Sequence, residues 1–233
     1  MNFSIRSYQK ELLDRDDIPF EDIRQNMKEL NFINTWLGGH AITLEAFKKL
    51  CGNKKQISVC EIGCGGGDNL LAIEKWCNKN GINVKLTGID MKPECITFAE
   101  GRKEFSSPVK WITSDYKKVQ FPTKPDIIFS SLFCHHFTDE ELIFQLRWMK
   151  ANTQIGFFIN DLQRHFLAYY SIKILSRVFS KSYLVKNDAP LSVLRGFNKM
   201  ELKHLLEQAG IKGFEVKWKW AFRWVVTSRV PHS

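Results

Sequence analysis

The sequence lacks any run of about 18 apolar residues, the length a membrane-crossing helix requires. Its mean hydropathy is −0.26. The first ten residues, Met1 to Lys10, carry no apolar stretch of the kind found in a signal peptide. None of the six cysteines, Cys51, Cys60, Cys64, Cys77, Cys95 and Cys134, stands in a C-x-x-C pair. That removes the usual spacing for structural zinc or a thioredoxin-type redox centre, so no metal is expected. Buried free thiols and a cytoplasmic location are expected instead. No short repeat and no low-complexity tract is present, and charge is mixed rather than blocky, which excludes a solenoid or a disordered chain. What is present is 233 residues with 44% apolar and 13% aromatic content, enough for one sizeable core.

The net charge of +9 is unevenly distributed. From Leu162 onward there are 13 Lys and Arg against 4 Asp and Glu, whereas residues 1–161 are balanced at 21 of each. A basic last third can attract an anionic ligand, nucleic acid or an acidic membrane surface, or it can simply solubilise one face.

Residues 1–55 read as an N-terminal helical cap. Ile23, Met27, Leu30 and Ile33 recur at helical spacing, Trp36-Leu-Gly-Gly-His40 breaks the pattern, and Thr43 to Leu50 resumes it. From residue 56 to the end a strand–helix alternation takes over. Short apolar runs at Ile57–Ile62, Val84–Ile89, Val109–Thr113, Asp126–Leu132 and Ile155–Ile159 read as five strands. Helices fit Asp68–Asn80, Pro93 to about Phe105, and the segment after the Thr138-Asp-Glu-Glu141 capping box. Near-continuous apolar strands between helices predict a doubly wound α/β sheet, mostly parallel and covered on both faces. Residues 162–198 interrupt the rhythm as an insertion. A further helix from Asn198 to Gly210 and two β-type runs close together, Phe214–Lys219 and Phe222–Thr227, able to pair antiparallel, then complete seven strands.

The first strand ends in Gly63-Cys64-Gly65-Gly-Gly67, a strand–glycine turn–helix arrangement that lets a ligand approach bare backbone at a helix N-terminus. Glu61 precedes Gly63 by two residues, and Asp90 ends the second strand 27 positions after it. An acid at that place can accept both hydroxyls of a ribose. In a dinucleotide fingerprint the position of Asp68 carries Gly or Ala. An acid there crowds the turn and repels a pyrophosphate, so the loop favours a cationic, phosphate-free nucleoside. S-adenosylmethionine (SAM) has that chemistry.

Val59-Cys-Glu-Ile-Gly-Cys-Gly-Gly-Gly67 resembles motif I of the class I SAM-dependent methyltransferases. Three more segments match in order: Gly88-Ile-Asp90, Ser114-Asp115-Tyr116, and Asp126-Ile-Ile-Phe-Ser-Ser-Leu-Phe-Cys-His-His136. The last is similar to the strand-four motif of the small-molecule branch, the ubiquinone/menaquinone-type enzymes. Trp36-Leu-Gly-Gly-His40 and Asn160-Asp-Leu-Gln-Arg-His165 also resemble methyltransferases found beside polyketide synthases. The resemblance implies a Rossmann-like methyltransferase fold and SAM as cofactor, held by Glu61, Gly63, Cys64, Gly65, Gly67, Asp90, Met91, Ser114, Asp115, Tyr116, Ser131 and Leu132.

Methyl transfer to a hydroxyl needs a base at the C-terminal rim of the sheet. His135 and His136 lie just past the fourth strand, and histidine titrates near neutral pH. As neighbours on an extended segment they should face opposite ways, and His136 is the favoured base. Asp161, after the fifth strand, can assist or cap a helix. Trp36, His40 and His165 are candidate walls of the acceptor pocket. The apolar, aromatic stretch Phe166–Phe179, with Lys173 and Arg177, reads as a lid over an apolar acceptor, as a basic face at a membrane surface, or as a packed helix.

The expected activity is O-methylation of a small aromatic or polyketide-derived hydroxyl. C-methylation of a quinone-type precursor is the alternative. Nucleic-acid methylation is disfavoured, because no N/D-P-P-Y/F motif follows strand four and Cys134 lacks a preceding proline. A SAM-binding scaffold without turnover is the non-enzymatic reading. The sequence does not indicate an oligomeric state.

Overall fold

The computed structural model describes residues 2–15 and 17–230. The outermost ends of the cap and main-domain ranges, Met1 and residues 231–233, lie outside the described residues. Seven strands form one sheet: β1 (Gln56–Ile62), β2 (Asn83–Asp90), β3 (Val109–Thr113), β4 (Ile127–Ser131), β5 (Gly156–Leu162), β6 (Glu215–Lys219) and β7 (Arg223–Arg229). Their spatial order is β3-β2-β1-β4-β5-β7-β6. The first five are parallel, β7 runs antiparallel to β5, and β6 pairs antiparallel with β7. The strand order reverses between β1 and β4, and ligands of open α/β sheets bind at that crevice, beyond the carboxyl ends of the strands.

Eight α-helices accompany the sheet among the described residues. They are α1 (Phe20–Trp36), α2 (Gly39–Cys51), α3 (Asp68–Lys79), α4 (Pro93–Glu100), α5 (Asp139–Asn152), α6 (Phe166–Phe179), α7 (Tyr183–Arg195) and α8 (Lys199–Gln208). Strand side chains alternate between two cores, as the two-residue period demands. Ile57, Val59, Ile127, Phe129, Phe158 and Val225 join α2 and α3 on one face. Cys60, Ile62, Ile128, Phe157, Ile159 and Val226 join α5 and α8 on the other. Phe129 and Phe158, neighbours across β4 and β5, stack at 4.7 Å. All six cysteines are free and buried. None of the described helices is long and apolar enough to cross a membrane.

Two local expectations change. Among the described residues before Phe20 none is helical apart from a 3₁₀ turn at Leu12–Asp14. They form an extended strap whose backbone hydrogen bonds go to distant partners: Leu12 and Leu13 donate to Asp188 of α7 at 2.8 and 2.9 Å, and Arg195 donates to the Gln9 carbonyl at 2.8 Å. Local periodicity does not reveal such tertiary satisfaction. The helix starting at Pro93 ends at Glu100 rather than near Phe105, with Gly101 as its C-cap. Asn78, Glu74 and Arg102 hold the chain that follows.

Trp111 of β3 lies flat against β2 because Gly88 has no side chain. A Cβ on Gly88 would meet the Trp111 ring at 2.4 Å. Gly88→Ala should therefore cost about 1–3 kcal/mol of stability through overpacking, read as a lowered midpoint in urea denaturation.

Candidate active site

β1 delivers Glu61 and the glycine turn to the rim. Gly63, Gly65 and Gly67 have φ of +65°, +49° and +73°, left-handed values that only glycine adopts freely. Gly63 is also needed for space, since a Cβ there would lie 2.3 Å from the Phe133 ring. Gly67 caps α3, and the Cys64 N–H donates to the Ile89 carbonyl at 3.1 Å, tying the turn to β2. The Cys64 thiol is buried and its pKa is pushed up by desolvation, so it is an inert packing group. Asp68 begins α3 and pairs with Arg102.

Asp90 reaches the mouth of this turn. One carboxylate oxygen accepts from the Gly65 N–H at 2.9 Å and the other from the Lys92 N–H at 3.0 Å. Each oxygen keeps a second lone pair. Burial raises the Asp90 pKa, while the two backbone donors oppose that rise.

Glu61 is buried. One oxygen accepts from Asn69 Nδ2 at 2.9 Å, and Oε2 has no partner. Desolvation pushes its pKa well up, favouring the neutral acid. A polar chain runs away from it: Asn69 Oδ1 lies 2.8 Å from His40 Nδ1, and His40 Nδ1 lies 3.4 Å from Asn34 Nδ2. Asn34 Oδ1 in turn accepts from Arg223 Nη2 at 2.8 Å. Arg223 opens β7 and is 3% exposed, and its Nε and Nη1 donors are unpartnered. Burial lowers its pKa to about 10, with the Asp161 charge opposing, and it remains cationic at neutral pH. The chain thus ends in an unfilled acceptor on Glu61 and unfilled donors on Arg223.

The remaining predicted cofactor residues divide. Met91 is 65% exposed just past β2. The Ser114 N–H donates to the Asp90 carbonyl at 2.9 Å, and Asp115 caps a 3₁₀ turn by accepting from the Lys117 N–H at 3.0 Å. Tyr116 is a correction. It is 3% exposed and packs edge-on against Trp148, Phe137 and Phe133, so its ring belongs to the core beneath the rim. Ser131 is buried at the end of β4 with its hydroxyl unpartnered. Leu132 has φ of +53°, a strained left-handed value at which the chain leaves the sheet.

Beyond Leu132 the chain forms a 3₁₀ turn, Cys134–His136, and this overturns the expectation that the two histidines face apart. An extended segment would alternate them; the tight turn brings their rings to 4.4 Å. His135 Nδ1 lies 2.7 Å from Asp161 and His136 Nδ1 lies 3.1 Å from Asp14. Both Nε2 atoms face Glu11, at 3.6 and 3.8 Å. Burial pulls the His135 pKa down, but Asp161 and Glu11 together carry it up to about 9. Asp161 does not cap the following helix. Its buried carboxylate accepts from the N–H groups of Cys134 at 2.7 Å and Phe133 at 3.2 Å, as well as from its own neighbour Leu162, which makes it the anchor of the histidine turn.

The predicted acceptor walls fare unequally. Trp36, at the end of α1, is 77% exposed, its ring 5.7 Å from that of Phe32. His40 is part of the Glu61–Arg223 chain. His165 caps α6 by accepting from the Leu167 N–H and stacks between Phe166 and Phe222.

Sequence reasoning missed Glu11, Asp14, Arg195 and Arg223. The first two lie on the strap, where no periodicity singles them out. Arg195 donates to the carbonyls of His135 and His136 at 3.0 and 2.7 Å from the far side of the insertion. Arg223 offered one signal, a cation beginning an apolar strand.

A family model described as a methyltransferase domain matches residues 53–210. No curated protein sequence matches the chain at a significant level. Among solved structures, the plantazolicin methyltransferase BpumL in complex with SAH is similar at 20% identity and a TM-score of 0.67, covering 93% of this chain and 92% of that one. Human N-acetylserotonin methyltransferase in complex with SAM is similar at 16% identity and a TM-score of 0.66, covering 92% and 57%. The magnesium protoporphyrin IX methyltransferase of Synechocystis PCC 6803 with bound SAM is similar at 10% identity and a TM-score of 0.56, covering 93% and 100%. At such identities these likenesses concern the fold.

Proposed function

Because this chain belongs to the methyltransferase-domain family, we propose that it binds SAM at the glycine turn and transfers its methyl group to a hydroxyl of a small, apolar, aromatic or polyketide-type acceptor. The observation that carries the cofactor reading is Asp90 at 2.9 Å from the Gly65 N–H, a ribose-accepting carboxylate beside bare backbone. The unfilled acceptor at the root of the turn fits the rest of the ligand: Glu61 Oε2 suits the ammonium of an amino acid terminus. Bound SAM supplies a methyl carbon already activated by its sulfonium.

The chain's own residues have two tasks, alignment and proton removal. Asp161 and Arg195 fix the Cys134–His136 turn from both sides, and Phe133 on that turn lies against Gly63. The hydroxyl proton passes to His136, the more exposed histidine of the cluster that Glu11, His135 and His136 form. The insertion at 162–198 serves as the lid. Its α7 is tied to the strap through Asp188 and Arg195, and its α6 turns Leu167, Tyr170, Ile174, Val178 and Phe179 outward. A largely apolar lid suits an apolar acceptor.

Incubation with methyl-labelled SAM and a panel of phenols, alkylresorcinols and quinone precursors tests this. Label in an O-methyl ether is expected, whereas label on ring carbon, or none with any acceptor, contradicts the acceptor class. Two further results follow from the amino acid contacts. Glu61→Gln should raise the KM for SAM by about tenfold to a hundredfold, the worth of a charge-assisted hydrogen bond, with kcat changed less. An ammonium arriving beside Glu61 should draw its carboxyl back toward the ordinary range. SAM binding should then release a proton, seen as a dependence of the calorimetric enthalpy on buffer ionisation.

A further inference from the structure

Three side chains at the rim converge on one point, with Glu11 Oε1 also accepting from Ser192 Oγ at 2.7 Å. Glu11 on the strap and His135 and His136 past β4 bring one ligand atom each to within 4.8 Å of one another. The Glu11 oxygens lie 3.6 Å from His135 Nε2 and 3.8 Å from His136 Nε2. Both separations exceed the ~2.7–3.2 Å of a made hydrogen bond. They are close to the ~3.3 Å expected between ligands that each stand about 2.0–2.1 Å from a shared tetrahedral ion.

The opposite edges of both rings are also committed. His135 Nδ1 faces Asp161 at 2.7 Å and His136 Nδ1 faces Asp14 at 3.1 Å. A carboxylate on Nδ1 holds the proton there and turns the Nε2 lone pair outward, which is how metal-binding histidines are oriented. Two such pairs converge here on one carboxylate.

Charge gives an independent argument. The ion-paired network around the turn holds four carboxylates, Glu11, Asp14, Asp139 and Asp161, and two guanidinium groups, Arg6 and Arg195. With neutral imidazoles it carries two uncompensated negative charges in largely buried surroundings. Two protons on the histidines or one divalent cation would neutralise it, and the cation would also draw both Nε2 atoms and the Glu11 carboxylate onto one point. We propose that Glu11, His135 and His136 bind one divalent first-row transition metal ion, with Asp161 and Asp14 as the carboxylates that orient the two rings. Two imidazoles and one carboxylate suit zinc and leave a fourth coordination position free. Such an ion would occupy both Nε2 positions and would activate the acceptor hydroxyl as a Lewis acid, lowering its pKa, in place of proton removal by an imidazole. That consequence rests on the methyl-transfer reading, whereas the binding of the ion does not.

The test uses the full chain, stripped with chelator, without SAM or acceptor. Zinc titration by calorimetry should give one site per chain, and cobalt(II) added in its place should produce the intense visible bands of a tetrahedral complex. His136→Ala should weaken zinc binding at least a hundredfold. Asp14→Asn should weaken it about tenfold, since Asp14 only positions His136. Asp90→Asn should bind zinc like the wild type, separating this site from the cofactor site. Absence of stoichiometric binding by the wild-type chain overturns the proposal. Binding left intact by both His136→Ala and Glu11→Gln overturns it equally, without depending on how well either variant folds.

Discussion

Asp90→Ala is expected to weaken SAM binding by about a hundredfold or more, because two charge-assisted hydrogen bonds of about 1.5–3 kcal/mol each are at stake on the ribose. The same change removes the acceptors for Gly65 N–H and Lys92 N–H, which shape the turn itself. The loss therefore combines a missing contact with a loosened loop. Asp90→Asn separates them, since the amide oxygen can still take the Gly65 N–H but lacks the charge. Calorimetric affinity for SAM should fall in the order wild type, Asn, Ala. An alanine variant that binds SAM like the wild type would remove Asp90 from the cofactor site.

Asp161→Leu is expected to have the largest effect on stability, about 3–5 kcal/mol, read as a shift of the urea midpoint. The carboxylate is wholly buried and accepts from backbone N–H groups at Cys134, Phe133 and Leu162 and from the His135 ring. Leucine fills the volume and satisfies none of them, stranding a buried imidazole. Asp161→Asn keeps one acceptor oxygen and should lose clearly less. Loss of the turn should reach the cofactor too, since Phe133 rests on Gly63. A leucine variant as stable as wild type would mean that the Cys134–His136 turn holds itself.

Strand positions and the glycine turn were legible in the sequence because their causes are local. Alternation sorts Ile57 and Val59 from Cys60 and Ile62 onto two faces, and a positive φ at Gly63, Gly65 and Gly67 calls for glycine. The antiparallel pairing of β6 with β7 followed from two β-type runs separated by a short turn. Residues whose role depends on distant partners were not legible. Glu11 and Asp14 act through a strap whose backbone is satisfied by α7, about 180 positions on, and nothing near them in sequence marks that contact. His135 and His136 were found by their place after strand four. Their mutual orientation was misread, because a 3₁₀ turn anchored by Asp161 replaces the extended segment that alternation assumes. Tyr116 follows a motif acid yet turns inward, where Trp148, Phe137 and Phe133 leave an aromatic-sized place for it.

The account stands on a nucleoside cofactor with an amino acid tail at the mouth of the glycine turn. Equilibrium calorimetry of the purified chain with SAM, with NADH as a competing dinucleotide, tests this most directly. One SAM per chain, weakened about a hundredfold or more in Asp90→Ala and weakened in Glu61→Gln, with no heat from NADH, is the predicted result. No SAM binding, or binding of NADH at the same turn, would contradict it.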